Sequence, residues 1–74
     1  MKITYDSKAD AAYIDLRSDG DGYAVSYTYC CDPLEAKALI NLDFDASGKL
    51  VGIEVLEAAV RLPQSLLQQK PLEE

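Results

Sequence analysis

Apolar and polar residues alternate with a period of two up to about residue 57, a pattern that predicts β-strands. The alternation is clearest in the segments ALINLDF (38–44) and KLVGIEVL (49–56). Weaker alternation, rich in Tyr, Thr, Val and Ile, predicts three further strands over about 2–5, 11–17 and 23–31. Clusters of Gly, Asp and Ser, and a proline between the third and fourth strands, supply the turns.

The period changes near the C-terminus, where the segment LPQSLLQQKP predicts a short helix over about 63–70. Pro63 suits the first turn of this helix, and three leucines form a narrow apolar stripe. Residues 57–62 fit either a frayed strand or the start of the helix. We therefore predict one small α+β domain over residues 1–74. Its expected fold is an antiparallel β-meander of four to five strands with a short C-terminal helix packed on one face.

The two clearest strands are expected to form a hairpin closed by a four-residue loop between Phe44 and Lys49. The register that follows places only apolar pairs on one face: Leu42 with Val51, Ile40 with Ile53, and Ala38 with Val55. A slip of one residue would mix buried and exposed positions. The apolar pattern therefore selects the register of this hairpin.

The acidic segment DFDASGKLVGIE (43–54) matches the ligand spacing of an EF-hand calcium loop. In the predicted hairpin, however, Asp43 and Glu54 lie four residues apart along the sheet, a separation of roughly 13 Å. One calcium ion cannot reach both carboxylates at its usual distances of about 2.3–2.6 Å. The turn of a β-hairpin is thus the favoured interpretation, with a weak divalent-cation site at Asp43, Asp45 and Glu54 as the alternative.

The chain carries 13 acidic and 7 basic residues, for a net charge of −6. This charge argues against direct binding of nucleic acid, because phosphates are bound mainly by Lys and Arg. It suits solubility or a basic protein partner, and binding to such a partner should weaken as salt rises. No N-terminal apolar leader or long apolar run is present, so we expect a cytoplasmic protein that does not bind membranes.

The chain contains no histidine, which removes the commonest general base and most zinc sites. Cys30 and Cys31 are adjacent and cannot join distant parts of one chain. They could serve as a nucleophile or as a pair of soft-metal ligands. Small residues at a strand end are the simpler interpretation, because the nearest charges are acidic. We therefore predict no catalytic residue, no metal site and no cofactor, and expect that the protein is not an enzyme.

Several apolar positions are candidates for an interface instead. An antiparallel sheet with one solvated face would carry polar residues there, yet three leucines fall on the predicted outer face. Three tyrosines share one face of the third strand, either as core, as a dimer interface or as a ligand platform. A glycine inside the fifth strand marks a bulge or the close approach of another backbone. These candidate interface residues are Leu39, Leu50, Gly52, Leu56, Tyr23, Tyr27 and Tyr29.

The segments MKITYD, ADAAYIDL and LDFDASGKLVGIEVLEAA together resemble the small bacterial proteins classed as domain of unknown function 2283. Residues 1–16 and 41–59 carry the resemblance, whereas SYTYCCDPLEAK departs from it. The family supplies no catalytic residues to transfer. Some members look like the smaller partner of a toxin–antitoxin pair, which would imply an antitoxin-like role that neutralises a small basic toxin.

Three hypotheses for function follow from these observations. The leading one is a non-enzymatic protein–protein interaction module that acts as a homodimer, since small cores are often completed by oligomerisation. The second is an enzyme or cation-binding protein that uses Asp43, Asp45 and Glu54. The third is a structural dimer without any ligand.

Overall fold

The computed structural model of the chain describes residues 1–68 and forms a single antiparallel sheet with three short helices. The strands are β1 (Lys2–Asp6), β2 (Ala11–Asp15), β3 (Tyr27–Cys30), β4 (Ile40–Phe44) and β5 (Leu50–Leu56). The helices are α1 (Pro33–Ala36), α2 (Ala58–Arg61) and α3 (Gln64–Leu67). The strand order is β1-β2-β5-β4-β3, and every neighbouring pair is antiparallel. The predicted α+β class with an antiparallel sheet is confirmed.

The strand order differs from the sequential order of a meander. A meander would pair β2 with β3, but β5 lies between β2 and β4, and β3 forms the far edge. The long connection over residues 16–26 allows the chain to cross to that edge. β5 suits the central position because it is the longest strand and buries Val51, Gly52 and Val55.

The β4–β5 hairpin has a register two positions away from the predicted one. Leu42 pairs with Ile53, and an irregularity between Asp43 and Phe44 leaves Val51 as the extra residue of a β-bulge. The turn is also tighter than predicted, because the Asp45 N–H donates to the Lys49 carbonyl oxygen at 2.9 Å. A shift of two positions keeps side chains on their original faces, so the predicted faces survive the wrong pairing up to the bulge, beyond which Leu50 is opposite Phe44.

The third strand is shorter than its predicted span of 23–31. Residues 23–25 belong to the preceding loop, where the Arg17 guanidinium donates to the Tyr23 carbonyl oxygen at 2.9 Å. This contact directs the segment away from the ladder. The Ser26 N–H donates to the Phe44 carbonyl oxygen at 2.7 Å just before the strand begins.

The C-terminal segment forms two single helical turns in place of one helix. Residues 58–61 are helical, and Glu57 precedes them with a left-handed φ of 54°. Pro63 then leads into α3, and residues 69 and 70 of the predicted helix lie outside the described residues. No helix within residues 1–68 has the length and apolar character needed to cross a membrane.

The core of the described chain is thin. Its buried apolar residues are Ile3, Ala12, Val51, Val55 and Ala58, and no large side chain is fully buried. α2 packs against β5, but the molecule stays flat, with extents of 32 × 31 × 18 Å. The described residues therefore cover one face of the sheet only in part.

Candidate functional site

The two faces of the sheet differ sharply in chemistry. Strand alternation and the observed register place one set of side chains together on what we call the polar face: Tyr13, Thr28, Asn41, Asp43 and Glu54. The opposite face carries a set of apolar and aromatic side chains on β3 and β4 that we call the apolar patch: Tyr27, Tyr29, Ile40, Leu42 and Phe44. Each face is a candidate site, and each is described in turn.

A hydrogen-bonded line crosses the polar face from β2 to β3. The Tyr13 hydroxyl donates to Asp43 Oδ2 at 2.8 Å, and the Thr28 hydroxyl donates to Asp43 Oδ1 at 2.6 Å. Asp43 therefore accepts one bond from each side and joins residues that are far apart in sequence. Charge-assisted bonds of this kind are among the stronger hydrogen bonds in proteins.

The Tyr13–Asp43 bond spans β5, and Gly52 makes that reach possible. Gly52 lies on β5 directly opposite Asp43. A Cβ at this position would overlap the hydroxyl and the ring of Tyr13. The predicted alternatives at Gly52 were a bulge or the approach of another backbone. The bulge does lie beside Gly52, but the close approach is made by a tyrosine side chain of the same chain, which fills the space of the missing side chain.

The surroundings of Tyr13 keep its hydroxyl protonated. Partial burial, followed by the hydrogen bond to Asp43, raises the pKa of Tyr13 to about 12. A phenol with this pKa is a neutral donor at physiological pH. Tyr13 therefore acts as a structural link rather than as a proton acceptor.

The three acids of the proposed cation site belong to separate hydrogen-bond networks. Glu54 Oε1 accepts from the Asn41 side-chain amide at 2.9 Å, while Asp43 holds Tyr13 and Thr28. Glu54 pairs with Asn41, so it lies two residues along the sheet from Asp43 rather than four. Within residues 1–68, no group of three or more acidic, cysteine or histidine residues is arranged to hold a metal ion.

Asp45, the third acid, organises the hairpin loop. Its Oδ1 accepts from the Ser47 N–H at 2.9 Å, the Ser47 hydroxyl at 2.8 Å and the Lys49 N–H at 2.8 Å. These donors, with the Lys49 N–H foremost, hold the pKa of Asp45 below its ordinary value. Gly48 completes the turn with a φ of 91°. Asp45 thus has the loop-forming role that the hairpin interpretation predicts.

The apolar patch is partly exposed in spite of its composition, with two exposed tyrosines and three half-buried residues on β4. Tyr27 and Tyr29 are 55 % and 56 % exposed, and none of the five side chains is buried. The rings of Tyr27 and Phe44 stack with centroids 5.1 Å apart. Tyr23, the third tyrosine of the predicted stripe, lies outside the strand in the loop near Arg17.

The remaining candidate interface residues are scattered. Leu39 continues the β4 ladder, because its carbonyl oxygen accepts from the Leu56 N–H at 3.0 Å. Leu39 and Leu50 are exposed and Leu56 is half-buried. The bulge sets Leu50 opposite Phe44. Leu50 therefore adjoins the apolar patch through Phe44, which stacks on Tyr27, whereas Leu39 and Leu56 neighbour each other at the other end of the two strands.

The sheet also has a polar cleft at the end of β2. Arg17 forms an ion pair with Asp15 at 2.9 Å, and its side-chain hydrogen bond holds the pKa of Asp15 below the ordinary value. The cleft has a volume of about 270 Å³, and its lining includes Lys2, Asp15 and Tyr23. The lining carries two basic and three acidic residues, of which Arg17 and Asp15 form the ion pair.

Cys30 and Cys31 lie at the end of β3 as free thiols. Cys30 is exposed and Cys31 is half-buried, which matches their interpretation as small residues at a strand end. Neither thiol has a basic side chain beside it in sequence.

These features define a small, open antiparallel-sheet domain with one polar face and one incompletely covered apolar face. The chain belongs to the family described as protein of unknown function (DUF2283), whose model matches residues 2–58. The resemblance carried by the N-terminal and hairpin segments is thereby confirmed. No curated protein and no solved structure gives a significant match.

Proposed function

We propose that the protein is a non-enzymatic interaction module that acts as a homodimer, with the apolar patch of one copy packed on that of the other. The observation that carries this proposal is the exposure of Tyr27 and Tyr29 beside three further apolar side chains. Contiguous exposed apolar surface on a soluble domain is typical of an interaction site. Aromatic residues supply much of the binding energy at such sites.

The dimensions of the sheet fit a partner of equal size. Five strands spaced about 4.8 Å apart, with residues rising about 3.3 Å each, give a face on the order of 500 Å². Two whole faces would together approach the total of roughly 1,000 Å² that a specific interface needs, and the apolar patch on β3 and β4 forms less than half of each face. Face-to-face packing of two sheets about 10 Å apart is a common arrangement in β proteins.

A second copy would also enlarge the small hydrophobic core of the domain. No large side chain within the described residues is fully buried, and domains of this size often gain stability by association. The five residues of the apolar patch carry no charge, so two acidic copies can meet there without bringing carboxylates together. The acidic groups of the polar face would point away from the interface.

The homodimer is tested by measuring molar mass in solution for two matched variants. Tyr29→Lys places a charge on the apolar patch, whereas Cys30→Lys places the same charge on the polar face of the same strand. We expect the unmodified chain and Cys30→Lys to sediment as dimers. Tyr29→Lys should dissociate at the same concentration.

A monomeric unmodified chain over the micromolar to millimolar range would contradict the proposal. So would a Tyr29→Lys variant that remains folded and fully dimeric. Circular dichroism of both variants separates loss of the dimer from loss of the fold.

A further inference from the structure

We propose that the open edge of β3 is a strand-addition site for a partner protein. The ligand would be an extended segment in which apolar residues alternate with basic ones. This site uses the backbone of the sheet edge rather than its face. It is therefore distinct from the dimer interface proposed above, with Tyr27 and Tyr29 bordering both.

The backbone groups at this edge are available for pairing. Within residues 1–68, β3 is the last strand of the sheet, and its only neighbouring strand is β4. The Cys31 N–H donates to the Ile40 carbonyl oxygen at 2.9 Å, so alternate residues of the strand face β4. The N–H and C=O groups of Thr28 and Cys30 then point to the open side, where an added strand would bond them.

In the part of the chain that the structure describes, the β3 edge lacks the features that usually prevent such pairing. Natural edge strands are blunted by charges, proline or covering segments. β1, the other edge, carries Lys2 and Asp6 at its two ends. In contrast, Tyr27–Cys30 contains neither a charge nor a proline, and all four residues are exposed. Of the two edges, β3 is the one suited to receive a strand.

The side chains beside the edge indicate the chemistry of the added strand. On one face Tyr27 and Tyr29 would lie next to its apolar residues. On the other face the carboxylates of Asp43 and Glu54 lie about two to three strand spacings away, or roughly 10–15 Å. Neither carboxylate has a cationic partner among the ion pairs of residues 1–68. Basic side chains on that face of the ligand would meet this negative potential at low salt.

The test uses a synthetic peptide in which valine alternates with lysine, added to the full-length protein at low salt. Thr28→Pro removes the outward N–H without breaking the bonds to β4, because proline is tolerated where an edge N–H faces solvent. Thr28→Val is the matched control, since it also loses the hydroxyl bonded to Asp43 but keeps the N–H. Cys30→Pro, with Cys30→Ser as its control, repeats the test at the second outward position should Thr28→Pro fail to fold.

We expect the peptide to shift the backbone amide resonances of Thr28 and Cys30. Thr28→Pro should weaken binding about tenfold or more, while Thr28→Val should bind within about twofold of the unmodified chain. A peptide with glutamate in place of lysine should bind much more weakly. Higher salt should weaken the lysine peptide.

Three results would contradict the proposed strand-addition site. The first is no binding of the lysine peptide at millimolar concentration. The second is equal binding by folded Thr28→Pro and Thr28→Val. The third is slow amide exchange at Thr28 and Cys30 before any peptide is added, which would show that a second copy already occupies the edge. The homodimer measurement above is unaffected by the first two results, so the two proposals fail separately.

Discussion

The phenol ring of Tyr13 lies over the backbone of Gly52, in the space that a side chain at position 52 would occupy. The ring crosses the central strand there and bonds to Asp43 on the strand beyond it. A glycine inside a strand normally weakens a sheet, because it costs backbone entropy and offers no packing. Here the tyrosine supplies the missing contact, so the two residues form one unit.

We predict that substitutions at these two positions are strongly coupled. Gly52→Ala alone should lower the free energy of unfolding by about 1–3 kcal/mol, because its Cβ displaces the ring of Tyr13. In a Tyr13→Ala background the same Gly52→Ala change should become neutral or stabilising, by up to about 1 kcal/mol, since alanine is favoured over glycine in a strand. Urea denaturation of all four chains at one protein concentration measures the cycle.

The matched control for this cycle is Gly22→Ala, at a loop position where a Cβ meets no other atom within 4 Å. It should change stability little in either background. Additive effects of Gly52→Ala and Tyr13→Ala would show that the ring does not occupy the space over Gly52.

The hydroxyl of Tyr13 gives a separate prediction. Tyr13→Phe keeps the ring over Gly52 but removes a donor to Asp43, so it should destabilise the protein by about 1–2 kcal/mol. Tyr29→Phe, on the exposed patch, should cost far less. Equal losses for the two variants would contradict the role of the Tyr13 bond.

The loss of folding stability at alkaline pH should also depend on Tyr13. Its pKa is raised to about 12 in the folded chain, against an ordinary value near 10 when unfolded. Between these values the unfolded state has lost the proton and the folded state keeps it, so stability falls as pH rises. Melting temperatures from pH 8 upward should decline more steeply for the unmodified chain than for Tyr13→Phe. Parallel curves would contradict the raised pKa.

The alternation of apolar residues was sufficient to predict the antiparallel sheet and its two faces. Leu42, Ile53 and Val55 lie on one face, as the pattern requires, although their partners differ from the predicted ones. Any register shifted by an even number of residues preserves the faces. The apolar pattern therefore cannot distinguish the observed pairing from the predicted one, and the bulge at Val51 decides it.

The hydrogen-bonded line that runs from Tyr13 through Asp43 to Thr28 was not predicted, because it depends on strand order. Tyr13 and Asp43 are 30 residues apart and meet only because β5 lies between their strands. One signal was present in the sequence: Gly52 lies inside a strand that is otherwise rich in large apolar residues. Identifying the tyrosine that covers it required knowing which strand lies alongside.

The hydrogen bonds to the Asp45 carboxylate predict how folding stability changes as pH falls. Hydrogen bonds from the Lys49 N–H and from Ser47 lower the pKa of Asp45, so its contribution to stability is present above its unfolded pKa of about 3.9. That contribution is lost as pH falls through the lower folded pKa. Asp45→Asn should melt at a lower temperature near neutral pH, and its curve should converge with that of the unmodified chain as pH falls below about 4. A constant difference across the acid range would contradict this assignment.

Asp10 joins the β1–β2 turn to the C-terminal segment, and its substitutions separate two physical effects. Its carbonyl oxygen accepts from the Ala58 N–H at 3.0 Å, and its Oδ1 accepts from the Ala59 N–H at 3.0 Å and from the Tyr5 hydroxyl at 2.8 Å. Its φ is 53°, a left-handed conformation that Asn and Gly adopt more easily than Ala.

Asp10→Asn keeps both a side-chain acceptor and a residue that tolerates the left-handed φ, so we expect a small change in stability. Asp10→Gly keeps only the conformation, and Asp10→Ala loses both the acceptor and the preference. Asp10→Ala should therefore be the least stable, by about 1–3 kcal/mol relative to the unmodified chain. Thermal denaturation should rank the variants Asn, Gly, Ala in falling stability. Equal values for Gly and Ala would show that the backbone conformation contributes nothing, and equal values for Asn and Gly would show the same for the side-chain acceptor.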